Sequence, residues 1–143
     1  MPDIDKRTEL QQLLDLIVKT DNKIDTAFVF ETKHGKILYF GKPYTYGKQF
    51  SNETTVRSFE SWLGRLKDTP QTLSKIELGD MKYLVIPFDN GLLSLYFEDK
   101  QFASPIIIGF AYQGTDGESA MGEMLYNADV AVKKIKDLLR ELS

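Results

Sequence analysis

The chain has 143 residues, no cysteine, one histidine and a formal net charge of −3. That length suits one domain, spanning 1–143, which buries about two-thirds of the surface its unfolded form exposes. The composition excludes a disulfide scaffold, a thiolate metal site and a cysteine nucleophile, argues against nucleic acid as a partner because that role calls for a basic excess, and fits a reducing cytoplasm.

The N-terminal run "MPDIDKRTEL" is charged and lacks the apolar core of a signal peptide. In "DKRTELQQLLDLIVKTD", Leu10, Leu13, Leu14, Ile17 and Val18 recur at i, i+3, i+4, i+7 and i+8, one apolar stripe on an amphipathic helix. "TAFVFET" is rich in β-formers. Ala27 and Val29 face one side, Phe28 and Phe30 the other, so both faces call for a cover. "KHGK" and "ILYFG" complete a hairpin, with Gly35 supplying the backbone freedom of its turn. His34 sits at that tip, an exposed place that does not hold a general base rigidly.

The loop "KPYTYGKQFSNE" carries Tyr44, Tyr46 and Phe50. Ser51 or Asn52 then caps a helix in which Val56, Phe59, Leu63 and Leu66 recur at helical spacing, closed by Thr69-Pro70. Trp62, the only tryptophan, widens the apolar face of this helix. Two readings stand: a broad core stripe, or a protein interface, where Trp and Arg are enriched.

"LSKIELG", "MKYLVIPFD" and "GLLSLYFED" follow as strand candidates, with Asn90-Gly91 as a hairpin signal between the last two. "SPIIIGFAYQ" adds a strand that starts at Pro105, where no ladder donor is lost. "GTDGESAMG" reads as a loop before a final helix whose stripe runs from Met121 through Met124, Ala128, Val132, Ile135 and Leu139. The longest apolar runs, "YLVIPF" and "PIIIGFAY", fall short of the roughly 20 residues that span a bilayer. The expectation is an α/β domain of the α+β type: a central antiparallel sheet of five or six strands flanked by three helices, in the order α-β-β-α-β-β-β(-β)-α, in a soluble cytoplasmic protein.

No constellation for chemistry stands out. The Gly-Lys pairs at 35–36, 41–42 and 47–48 are followed by Ile37, Pro43 and Gln49, so none is a P-loop, which needs Ser or Thr there. Asp116–Glu118 and Glu98–Asp99 are short acidic pairs without further ligands at metal-binding spacing. "GTDGESAMG" has glycines ahead of a helix N-terminus, but Asp116 and Glu118 would repel a phosphate. It reads as a connection capped by Asp116 or Ser119. No catalytic, cofactor-binding or metal-binding residue is assigned, and no enzyme activity is expected.

"ELQQLLDLIVKTDNKIDTAFVFETKHGKILYFG", "KYLVIPFDNGLLSLYF" and "MGEMLYNADVAVKKIKDLL" resemble the opening, the later hairpin and the closing helix of the Roadblock family, in the roadblock/longin group of profilin-like domains. In that family the closing helix often begins just after a glycine, here Gly122. "QFASPIIIGFAYQGTDGESA" is longer than the typical family segment and is either an added strand or a loop. The resemblance implies a non-catalytic platform that forms a homodimer, or a hetero-oligomer with a related domain, and binds small Ras-like GTPases or their regulatory complexes. Carried over by position, the middle helix places Phe59, Trp62, Arg65 and Leu66 at a two-fold contact, which uses one patch twice. Profilin-like sheets also occur in PAS- and GAF-type ligand sensors, and the mark of that second reading is a cavity with mixed polar and apolar lining.

Overall fold

A computed structural model describes residues 2–40, 53–98 and 105–142. Tyr44, Tyr46, Phe50 and the cap candidates Ser51 and Asn52 lie outside them.

Helix α1 (Pro2–Thr20) leads to the hairpin of β1 (Thr26–Glu31) and β2 (Lys36–Phe40). Helix α2 (Glu53–Arg65) and the short helix α3 (Thr69–Leu73) follow, then a single 3-10 turn at Ser74–Ile76. Strands β3 (Leu84–Phe88), β4 (Gly91–Glu98) and β5 (Ile106–Gln113) precede the long helix α4 (Gly117–Leu142). The five strands form one sheet in the order β2-β1-β5-β4-β3, antiparallel at every neighbouring pair. The expected α+β architecture stands, with five strands among the described residues.

The turn at "KHGK" behaves as expected. Gly35 takes φ +66°, in the left-handed region that a side chain disfavours. Exposed His34 is tied to Glu31, whose carboxylate accepts the His34 N–H at 3.0 Å and lies 3.0 Å from ring Nδ1.

Alternation divides the sheet into two apolar faces. On the first, Ala27, Val29, Leu92, Ile106, Ile108 and Phe110 pack under Leu10, Leu14 and Val18 of α1 and Met124, Ala128, Ile135 and Leu139 of α4. On the second, Phe28, Phe30, Leu93, Leu95 and Ile107 pack under Leu63 of α2, with Phe59, Trp62 and Leu66 half-buried beside them. Phe28 lies across Gly109 on β5, where an added Cβ would run into its ring.

Three expectations change. "LSKIELG" is not a strand: Pro70 sits in the first turn of α3, Ile76 ends the 3-10 turn, and Glu77 (φ 62°) and Gly79 (φ 91°) both turn left-handed, which breaks an extended run. The β3–β4 turn is Asp89-Asn90 rather than Asn90-Gly91, because Phe88 pairs with Gly91. The final helix begins at Gly117, ahead of Met121 and of Gly122, so "GESAMG" is helical and its Ala120 is buried.

The first face carries two buried hydroxyls without a partner among the described residues, those of Ser94 and Tyr96. Tyr96, 7% exposed, packs its ring 5.4 Å from Tyr83 and 5.9 Å from Phe110, and its hydroxyl has no hydrogen-bond partner. Burial first, then the Asp129 and Tyr83 charges, push that hydroxyl up to about 12. Because removing an unpaired buried hydroxyl relieves a desolvation cost, Tyr96→Phe should match or exceed the parent stability, by up to about 1 kcal/mol in urea denaturation. A loss of more than about 2 kcal/mol would show that the hydroxyl is bonded.

Candidate protein-interaction face

The two edges of the sheet are finished differently. At the β2 edge, Glu60 of α2, 9% exposed, accepts the Ile37 N–H at 2.7 Å. A carboxylate thereby occupies a donor that another strand would use. A register shift in the β1–β2 pairing, which skips Leu38 of β2 opposite Val29 and Phe30, further disturbs that edge. At the other edge, Leu84, Val85 and Ile86 of β3 are half-exposed and Phe88 is 59% exposed. Pro87 lacks an N–H and is tolerated on such an edge. The segment ahead of β3 is exposed throughout residues 71–80, and it carries Leu73, Ile76 and Leu78.

Phe59, Trp62 and Arg65 lie on α2, whereas Leu66, expected on the same helix, falls in the turn just after it, and the four do not share one role. Phe59 sits edge-on to Phe28, with centroids 5.3 Å apart, and Trp62 stacks on Phe59 at 5.8 Å. Phe59, Trp62 and Leu66 are half-buried against the second core, whereas Arg65 is exposed. Both readings of Trp62 therefore hold in part: one side packs inward and the rest faces out. Sequence reasoning missed Glu60, since a glutamate on a helix reads as a solvated residue. The signal available was its place one helical turn from Val56 and Leu63, inside the apolar stripe.

On the same face lies a cleft of about 530 Å³. Thr26, Gly91, Leu93 and Ala111 are among the residues that line it, with Phe59, Phe88, Asp25 and Asp89. Partial burial holds the Asp25 carboxyl above its ordinary value, against the opposing pull of the Gln113 N–H that it accepts at 2.7 Å. This is the mixed lining that a ligand sensor requires.

At the start of α4, Asp116 accepts from the Tyr112 hydroxyl at 2.6 Å and from Lys23 at 3.1 Å, with Lys23 5.0 Å from the Tyr112 ring. Those bonds, the Tyr112 hydroxyl foremost, hold the Asp116 carboxyl below its ordinary value. The cluster ties α4 to β5 and to the loop after α1. Among the described residues, no three His, Asp or Glu side chains are grouped to hold a metal, and no helix is long and apolar enough to cross a membrane.

No family model matches the sequence, and no curated protein matches it significantly. Solved structures do match. An MglB in a tetrameric arrangement superposes with TM-score 0.70 at 11% identity, covering 96% of this chain and 93% of that one. MglB of Myxococcus xanthus gives 0.65 at 12%, covering 94% of both chains. A Roadblock/LC7 domain from Streptomyces avermitilis gives 0.59 at 14%, covering 90% of this chain and 96% of that one.

The chain has a roadblock-like fold. Within the roadblock-like fold, one sheet edge is closed by Glu60 and the other is left to β3.

Glu60→Ala removes the acceptor and leaves the Ile37 N–H to be desolvated without a partner, so it should cost about 1–3 kcal/mol in denaturant unfolding. Glu60→Gln keeps an acceptor and should recover most of that loss. Equal losses would contradict the capping role. For Asp25, the sign follows from its raised pKa. The ionised form opposes folding, so the penalty is absent below the unfolded pKa of about 3.9 and complete above the folded value. Asp25→Asn should raise Tm at pH 7, with the gain disappearing as pH falls toward 3.9. A gain independent of pH would contradict this.

Proposed function

We propose that the chain is a non-catalytic platform that pairs with a second copy of itself and binds a small Ras-like GTPase or its regulatory complex. One observation carries the reading. The roadblock-like fold presents an open β3 edge flanked by exposed apolar residues, on the same sheet face as the partly exposed α2 residues. The fold likeness supports the platform, and the tetrameric arrangement of a similar structure supports self-association. Phe59, Trp62 and Leu66 supply the apolar part of the proposed two-fold contact, with Arg65 at its exposed rim.

Pairing of β3 with its copy uses the first residues of the strand, since Pro87 offers no donor. Asymmetric closing of the two edges then selects β3 over β2 for pairing. An isologous contact of this kind brings two α2 helices to one side of a doubled sheet, a broad surface for a third protein.

Light scattering after size-exclusion chromatography should give about twice the chain mass, and a monomer at high concentration would overturn self-association. Arg65→Glu, at an exposed position, should keep the fold and shift the equilibrium toward monomer. Trp62→Glu is the stronger disruption; if it unfolds the chain, the inward-packed side of Trp62 dominates. Capture from native lysate on the immobilised chain should retain a small GTPase, and its absence under nucleotide-bound and nucleotide-free conditions would overturn the GTPase part.

A further inference from the structure

We propose that the cleft beside Phe59 and the β3–β4 turn receives an arginine side chain presented by a protein partner. The inference deepens the platform reading and rests on it for the kind of partner.

The hollow has a local cause. Where α2 does not cover the second face, small residues lie: Thr26 on β1, Ala111 on β5 and Gly91 on β4. Gly91 is fixed as glycine by space, since a Cβ there would run into the Tyr112 carbonyl oxygen. Leu93 adds an apolar patch. Three aromatic rings line the cleft, Phe59, Phe88 and Tyr112, with Phe88 59% exposed. An apolar hollow between rings is filled by a flat or extended side chain.

Charge then selects the occupant. Among the described residues the lining holds two carboxylates, Asp25 and Asp89, and no lysine, arginine or histidine. An anion is repelled. For a bare metal ion there are two carboxylates here, and among the described residues no three acidic or histidine side chains are grouped to hold one. An organic cation with an apolar stem satisfies both parts of the lining, and a guanidinium also stacks on aromatic faces and bonds a carboxylate with two donors. Asp25 sharpens the choice: half-buried, with its carboxyl raised by desolvation, it gains from an arriving cation more than a solvated carboxylate does. The volume, about 530 Å³, admits the side chain with part of its backbone, and the mouth opens by exposed Phe88 on the face proposed for partners.

The test is an NMR titration of the full isotope-labelled chain with acetyl-arginine amide, with acetyl-lysine amide and acetyl-glutamine amide as comparisons. Arginine should give saturable shifts in the amides of Asp89 to Leu93 and Ala111 to Gln113. Lysine should bind more weakly and glutamine should give none. Asp89→Asn, in an exposed turn, and Asp25→Asn should each weaken the arginine response roughly threefold to tenfold, the scale of one partly screened charge pair. If Asp25→Asn disturbs the fold, Asp89→Asn alone decides. No saturable shift, shifts away from the cleft, an equal response to glutamine, or unchanged affinity in the Asp variants would overturn the proposal. Cleft shifts with no GTPase captured from lysate would overturn the platform reading and leave the cleft standing; capture without cleft shifts would do the reverse.

Discussion

The structure depends on a sheet that is apolar on both faces. Phe28, Phe30, Leu95 and Ile107 on one side, and Ala27, Val29, Ile106 and Ile108 on the other, cannot be left wet, so two covers are required. The first cover is generous: α1 and α4 pack against each other and against the sheet. Among the described residues the second is α2, one helix of 13 residues, with Leu66 just after it. Phe59, edge-on to Phe28, and Trp62, stacked on Phe59, extend its reach, yet among the described residues β3 and the small-residue corner at Gly91 and Ala111 stay partly uncovered. The interaction face and the cleft both follow from that shortfall.

Unequal edges give the shortfall a direction. The Glu60 bond to the Ile37 N–H ties α2 to the β2 edge. A buried carboxylate bonded to one backbone donor thus closes one edge. At the other edge, Pro87 gives partial protection. The similarity to MglB and Roadblock/LC7 structures, at 11–14% identity, is a likeness of backbone rather than of surface residues.

Much of the fold was legible because periodicity survives in sequence. The α1 stripe, the β1–β2 hairpin with its Gly35 turn, the two-faced β1 and the long α4 stripe all appear where spacing put them. The misses have physical causes. "LSKIELG" contains β-formers, but Pro70 and the left-handed Glu77 and Gly79 override them. Gly91 looked like a turn residue, yet it is needed because the β5 backbone comes too close for a side chain. Less of the candidate site was legible. Trp62 and Phe59 marked the right helix, since bulky residues beyond the stripe stand out. Glu60 and Asp25 did not, because their roles come from a β2 amide 23 residues away and a β5 amide 88 residues away, contacts that no local pattern records.

The central claim, that partners bind where α2 leaves the second face and the β3 edge uncovered, is most directly tested by amide hydrogen exchange at low and high protein concentration. The account predicts that the amides of Leu84, Val85 and Ile86, with those of α2 from Phe59 to Arg65, gain protection as concentration rises, while exposed Leu16 and Tyr126 on the opposite side of the sheet do not change. Protection gained at Leu16 and Tyr126 instead, or at the Glu60-capped β2 edge, would contradict it.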